Sequence, residues 1–159
     1  MHERKPVILG LCTANAARSQ MFEAILRHLA QGRVVVLSAG TQVTQVHPWA
    51  LQVLQEIEIP TEGLFSKRLK TVDVENNLLV LEDAQQHQIQ IPLSAIDQVI
   101  TLCGAAQESC PAFPAKVAMA HWSIDDPKDL LHFRNARDEI LKRVKLFLEI
   151  LTSNLNIQN

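Results

Sequence analysis

An apolar, β-branched run, Pro6-Val7-Ile8-Leu9-Gly10-Leu11, breaks into the short loop Cys12-Thr13-Ala14-Asn15-Ala16-Ala17-Arg18-Ser19. From Ser19 to about Ala30 apolar residues then recur at helical spacing. A strand, a tight loop and a helix N-terminus in that order constrain the fold more than any other feature of this chain. The alternation continues. Met21, Phe22, Ile25, Leu26 and Leu29 form one helical stripe, with Gly32 placed to end it, and Val34 to Leu37 reads as a second buried strand closed by Ser38-Ala39-Gly40. His47-Pro48 opens another helix with proline in its first turn and Ala50, Val53, Leu54 and Ile57 on one face, and Pro60 stops it. Asp97 to Leu102 reads as strand three and Lys116 to His121 as strand four. A helix from about Leu130 to Leu151 follows, with Ile140, Val144, Phe147, Leu148 and Leu151 on its apolar side. Strands alternating with helices call for an α/β fold: a four-stranded parallel sheet flanked by helices, both faces covered, in one domain over residues 1–159.

The stretch from Leu69 to Ser94 departs from this alternation. Leu78-Leu79-Val80-Leu81 and Gln88-Ile89-Gln90-Ile91 flank the polar Glu82-Asp83-Ala84-Gln85-Gln86-His87, which predicts a β-hairpin insertion near 71–93, read as a surface elaboration in preference to a docking element.

Composition narrows the class of function. A chain of 159 residues with 47% hydrophobic content supports one compact core. A net charge of -2 gives no broad basic surface, so nucleic acid is excluded as an expected partner. The charged start Met1-His2-Glu3-Arg4-Lys5 lacks a signal-peptide pattern, and no apolar run is long enough to span a bilayer; the expectation is a cytoplasmic enzyme with no membrane partner. Three cysteines do not make a disulfide-stapled scaffold, and six histidines at no zinc-like spacing indicate no structural metal.

The loop carries the chemistry. The first turn of a helix offers unpaired N–H groups and the positive end of its dipole, so a loop wrapped around it binds a tetrahedral anion. A cysteine at its mouth shares that field, which favours the thiolate. Arg18 can lay a planar fork of donors on two oxygens of one anion. The Ser19 hydroxyl is placed to donate to the Cys12 sulfur, and the Asn15 amide to brace the loop from within. The expected oxyanion-binding set is Thr13, Ala14, Asn15, Ala16, Ala17, Arg18 and Ser19. The competing reading is that Cys12 is a small core residue and Arg18 a surface charge.

The string Cys-Thr-x-Asn-x-x-Arg-Ser-Gln-Met resembles the thioredoxin-coupled arsenate reductases, which share their fold and anion loop with low-molecular-weight protein tyrosine phosphatases. Ser38-Ala39-Gly40, His47-Pro48, Cys103 and Cys110-Pro111 on the loop after strand three, His121-Trp122 with Asp125-Asp126-Pro127, and the last helix extend the resemblance over most of the chain. It implies Cys12 as nucleophile, Cys103 and Cys110 as a disulfide relay, and a general acid at the aspartate preceding proline, Asp126, with Asp125 the alternative. Arg137-Asp138-Glu139-Ile140 also matches and is read as helix surface. Three departures stand out. Ala14 replaces a usual glycine, Ala17 a loop cysteine of some members, and Lys67 lies where some members use an acidic ligand for potassium, with help from positions Asn15, Glu23 and Ser38. A lysine ammonium there would replace the cation, so no metal is expected.

The implied activity is reduction of arsenate to arsenite, with no bound cofactor, thioredoxin as reductant, and phosphate or sulfate as substrate analogues. The rival enzyme is a phosphomonoesterase working through a phosphocysteine. Against phosphotyrosine specificity, Lys128 follows Asp126-Pro127 where those phosphatases carry an aromatic residue. A non-catalytic oxyanion-binding module is the third reading, and the complete set of Cys12, Arg18, Asp126, Cys103 and Cys110 argues against it.

Overall fold

In chain order the computed structural model has β1 (Val7–Leu11), α1 (Arg18–Ala30), β2 (Val35–Ala39), α2 (Pro48–Glu56), β3 (Lys67–Asp73), β4 (Leu78–Asp83), β5 (Gln88–Ile91), β6 (Gln98–Thr101), β7 (Ala118–His121) and α3 (Leu130–Gln158). It describes residues 4–104, 113 and 116–158. Four strands form the parallel sheet, in the order β2-β1-β6-β7.

Alternation along the strands divides two cores between the faces of this sheet. Ile8, Val36 and Ile100 point to one face and pack with Met21, Phe22, Ile25 and Leu26 of α1, Val53 and Leu54 of α2, and Phe133, Ile140 and Val144 of α3. All three helices therefore gather on that face. Leu9, Leu11, Ala39 and Val99 point to the other, where they meet Leu79, Leu81, Leu93, Ile96 and Phe113. The insertion covers this second face. It is a three-stranded antiparallel sheet, β3-β4-β5, in which the hairpin read from the sequence is completed by a first strand beginning at Lys67. Because Leu79 and Leu81 are fully buried, the insertion is half of a core rather than a surface elaboration. One parallel bridge, Gly40 to Arg68, ties it to the end of β2.

Local signals act largely as the sequence implies. Gln31 and Gly32 take left-handed backbone after α1. His47 caps α2 by accepting a bond from the Trp49 N–H, with Pro48 in the first turn. That helix ends at Glu56, ahead of Pro60: Glu58 adopts a left-handed conformation, so the turn is complete before the proline is reached. Arg137 is buried, not a surface group. Its Nη1 donates to Val53 O and to Glu56 Oε1, both at 2.9 Å, and so pins α3 to the end of α2. Hydrogen bonds from Arg134 hold the same Glu56 carboxyl down at about 2. Among the described residues no helix is long and apolar enough to cross a membrane.

Candidate active site

The loop from Cys12 to Ser19 leaves the carboxyl end of the central strand β1, where open α/β sheets place their ligands. Its shape is set by what grips its carbonyl groups. Thr13 O accepts from the Thr41 and Gln42 N–H groups at 2.8 and 3.3 Å, Ala14 O from Thr44 Oγ1 and Ser66 Oγ at 3.0 and 3.3 Å, and Ala16 O from the His47 N–H at 2.8 Å. Asn15 O accepts from Gln20 Nε2 at 3.0 Å. In a planar trans peptide the N–H points opposite to the C=O. Tying four successive carbonyls to residues outside the loop therefore turns the amides of Ala14, Asn15, Ala16 and Ala17 away from the clamp. Helix α1 begins immediately after, at Arg18, with no side-chain cap on its N-terminus.

Left-handed backbone falls at Asn15 (φ 50°), the residue type other than glycine that tolerates it best. Ala14 does not have positive φ, which explains why a side chain is accommodated there. The glycine that the loop does require is Gly40. A Cβ at that position would lie 2.6 Å from Thr13 O and 2.8 Å from the Asn15 nitrogen, both backbone atoms that cannot rotate aside.

Donor and acceptor roles around Asn15 follow from its partners. Asn15 Oδ1 receives the Lys67 N–H and Gln20 Nε2, each at 2.8 Å, which fixes the orientation of its amide. Asn15 Nδ2 therefore donates to Ser19 Oγ at 2.7 Å and to Ser38 Oγ at 3.0 Å. Ser19 Oγ lies 2.8 Å from Cys12 Sγ, and when the sulfur is a thiolate the serine hydroxyl is the donor. Cys12 is a free thiol, 2% exposed.

Beneath the loop, Lys67 Nζ stands 3.3 Å from Glu23 Oε1, 3.3 Å from Ser38 Oγ and 3.1 Å from Phe65 O. Ser38 donates to Glu23 Oε1 at 2.7 Å, and Arg27 pairs with the other carboxylate oxygen. Burial pushes the Lys67 ammonium below the usual lysine range, and the Glu23 carboxylate works against that shift. Asn15, Glu23, Ser38 and Lys67 are thus brought together as the sequence implies. The Lys67 ammonium already engages the Glu23 and Ser38 oxygens, and Asn15 Oδ1 is taken by the Lys67 N–H and Gln20, so the set does not fit a potassium ion.

Arg18 is buried, with Nη1 donating to Ile124 O at 2.9 Å. Its Nη2 lies 3.8 Å from Asp126 Oδ1, and Asp126 is half exposed. Asp126, not Asp125, is thus the carboxylate facing the arginine. Lys128 Nζ donates to the other oxygen of Asp126 at 2.7 Å, which places a cation at the rim.

The β1–β6 register aligns Leu11 with Thr101, and Leu102 N–H donates to Leu11 O at 2.7 Å. Leu102 and Cys103 therefore follow β6 at the level where Cys12 follows β1. Cys103 is 1% exposed and disulfide-bonded, whereas Cys12 is not. Cys110 lies outside the described residues. Among the described residues no group of His, Cys, Asp or Glu is arranged to hold a metal ion. Sequence reasoning missed Gln20, Ser66 and Thr44 as parts of the loop's support. Only Gln20 carried a signal, as the glutamine that follows Arg18-Ser19 in the string that carries the resemblance.

The chain matches the model of the family described as low molecular weight phosphotyrosine protein phosphatase over residues 7–157. It is 36% identical over 149 residues to an arsenate reductase of Bacillus cereus, covering 92% of this chain and 97% of that one. It superimposes on the YwlE arginine phosphatase from Geobacillus stearothermophilus with a TM-score of 0.71 at 22% identity, covering 97% of both chains. It also superimposes on the Corynebacterium glutamicum thioredoxin-dependent arsenate reductase with a TM-score of 0.67 at 24% identity, covering 97% of this chain and 65% of that one. At these identities the two structures establish the shared fold.

Proposed function

Because the chain belongs to the low molecular weight phosphotyrosine protein phosphatase family, and within it resembles arsenate reductases along nearly its whole length, we propose that it reduces arsenate to arsenite. The observation that carries this reading is a pair of cysteines just past the ends of the adjacent strands β1 and β6, Cys12 a free thiol and Cys103 disulfide-bonded. A hydrolase that works through a phosphocysteine has no use for the second.

In the proposed reaction the amides of the loop and Arg18 hold the arsenate oxygens while the Cys12 thiolate attacks arsenic. Asp126 gives its proton to the departing hydroxide, which leaves as water. Ser19, its hydrogen directed at Sγ, stabilises the thiolate before attack. The Cys103 thiolate then attacks Cys12 Sγ. The electron pair of the sulfur–arsenic bond stays on arsenic, which leaves as arsenite, and a Cys12–Cys103 disulfide remains. Cys110 attacks Cys103, moving the disulfide to the Cys103–Cys110 pair and releasing the Cys12 thiolate; thioredoxin supplies the two electrons that close the cycle. The thioredoxin dependence named for the Corynebacterium protein supports the choice of reductant.

The test is arsenate-dependent NADPH oxidation with thioredoxin and thioredoxin reductase, run beside hydrolysis of an aryl phosphate. Cys103→Ser and Cys110→Ser are each expected to abolish arsenate turnover and to retain any hydrolysis of the aryl phosphate. Wild-type arsenate rates in both variants would overturn the relay. Hydrolysis with no arsenate turnover in the wild type would instead favour the phosphomonoesterase that the family description and the arginine phosphatase likeness suggest.

A second expected result concerns the cation. With the Lys67 ammonium seated on Glu23 and Ser38, potassium and sodium salts of equal ionic strength should give the same rate. A large activation by potassium alone would contradict this.

A further inference from the structure

Gln20 is fully buried, and its Nε2 lies 3.0 Å from Asn15 O, 2.8 Å from Asn15 Oδ1 and 2.8 Å from Phe65 O. Three oxygens around one amide nitrogen fix its orientation, because turning the amide over would set Oε1 against all three. That orientation leaves Gln20 Oε1 without a hydrogen-bond partner, the one such buried side-chain atom among the described residues. An unpaired buried carbonyl is unfavourable, so its persistence calls for a compensating arrangement nearby. The compensation is at Asn15, whose left-handed backbone and whose side chain are both held by this one amide.

We infer that Gln20 is a positioning residue for the oxyanion site. By clamping Asn15 against Phe65, it sets the direction of the Asn15 amide and, through Ser19, of the hydrogen that reaches the Cys12 sulfur. Each link is on hand: Gln20 Nε2 to Asn15 Oδ1, Asn15 Nδ2 to Ser19 Oγ, Ser19 Oγ to Cys12 Sγ. The Phe65 contact also gives the β3-β4-β5 insertion a function, since its first strand starts two residues later and its Lys67 N–H holds the same Asn15 oxygen. The insertion thus buttresses the catalytic loop. This inference rests on Cys12 acting as a thiolate, though not on whether arsenic or phosphorus is attacked.

Gln20→Met keeps the length and burial of the side chain but removes both donors. It is expected to weaken phosphate binding about tenfold and to move the pH profile of Cys12 alkylation by iodoacetamide to higher pH. Because the effect passes through Asn15, it should be strongly non-additive with Asn15→Ala. A wild-type phosphate affinity and alkylation profile in Gln20→Met, or simple additivity with Asn15→Ala, would overturn the inference. Should the variant not fold, the side-chain amide protons of Gln20 in the wild type decide it by NMR. Slow solvent exchange and a shift on adding phosphate support the role, while fast exchange with no shift refutes it. Absence of arsenate turnover in the wild type, with the phosphate and alkylation effects of Gln20→Met still present, would count against the proposed reaction and not against the positioning role.

Discussion

Replacing Arg18 by lysine is expected to lower kcat/KM for arsenate by about a hundred- to a thousandfold, the scale associated with removing a preorganised donor to a developing oxyanion. Charge is kept in this variant, so the loss isolates geometry. One end of the guanidinium is anchored on Ile124 O at 2.9 Å in a buried setting, and this fixes the plane in which its donors meet the anion. An ammonium on a flexible stem has three donors around a point and cannot satisfy Ile124 O and two substrate oxygens together. Ile124 is also two residues before Asp126, so the same anchor sets the distance between the arginine and the proposed acid. Steady-state kinetics with arsenate, together with phosphate inhibition constants, would measure both consequences. A loss smaller than tenfold would mean that Arg18 supplies charge alone.

Gly40→Ala should cost about a hundredfold in activity, the effect expected of a displacement near 1 Å in the reacting groups, with little change in the far-ultraviolet circular dichroism. The added methyl would meet Thr13 O at 2.6 Å and the Asn15 nitrogen at 2.8 Å, so relief requires the oxyanion loop itself to move. Gly10→Ala provides the contrast. There the methyl would press into the Phe22 ring at 2.4 Å, inside the helix-side core, and overpacking of that kind costs about 1–3 kcal/mol of stability. The first variant should lose activity while melting near the wild-type temperature. The second should melt early and retain its activity below that temperature. If both variants lost stability and activity in parallel, the separation between loop and core would be wrong.

What could be read in advance was local. Val7 to Leu11, the α1 stripe and the His47-Pro48 cap are governed by neighbours within one or two turns, and each formed where its pattern placed it. Strand β3 was not legible. Its sequence, Lys67-Arg-Leu-Lys-Thr-Val-Asp73, carries charges on both faces, and an irregularity between Leu69 and Thr71 breaks the alternation that marks a strand. Those charges are absorbed at a distance: Arg68 and Lys70 hold Glu82 on β4, with Lys70 the strongest of the contacts that bring the Glu82 carboxyl down to about 2. Arg137 was read as surface for the same reason. Its burial depends on Val53 O and Glu56, at the end of another helix.

By itself the sequence determined which groups share the Cys12–Ser19 loop: a thiol, a planar cation, an amide and a hydroxyl on one turn between strand and helix. These follow from residue type and short spacing, which chain connectivity enforces whatever the rest of the molecule does. Only the tertiary structure decided how that loop is held. Its carbonyls are tied outward by residues 41–47 and 66, Asn15 is clamped from Gln20 and Lys67, Asp126 rather than Asp125 faces Arg18, and Cys103 follows β6 at the end of the sheet where Cys12 follows β1. The physical reason is that a hydrogen bond or an ion pair depends on distance and direction in space. Strand order and register set those for residues far apart along the chain, and neither is written in any local pattern.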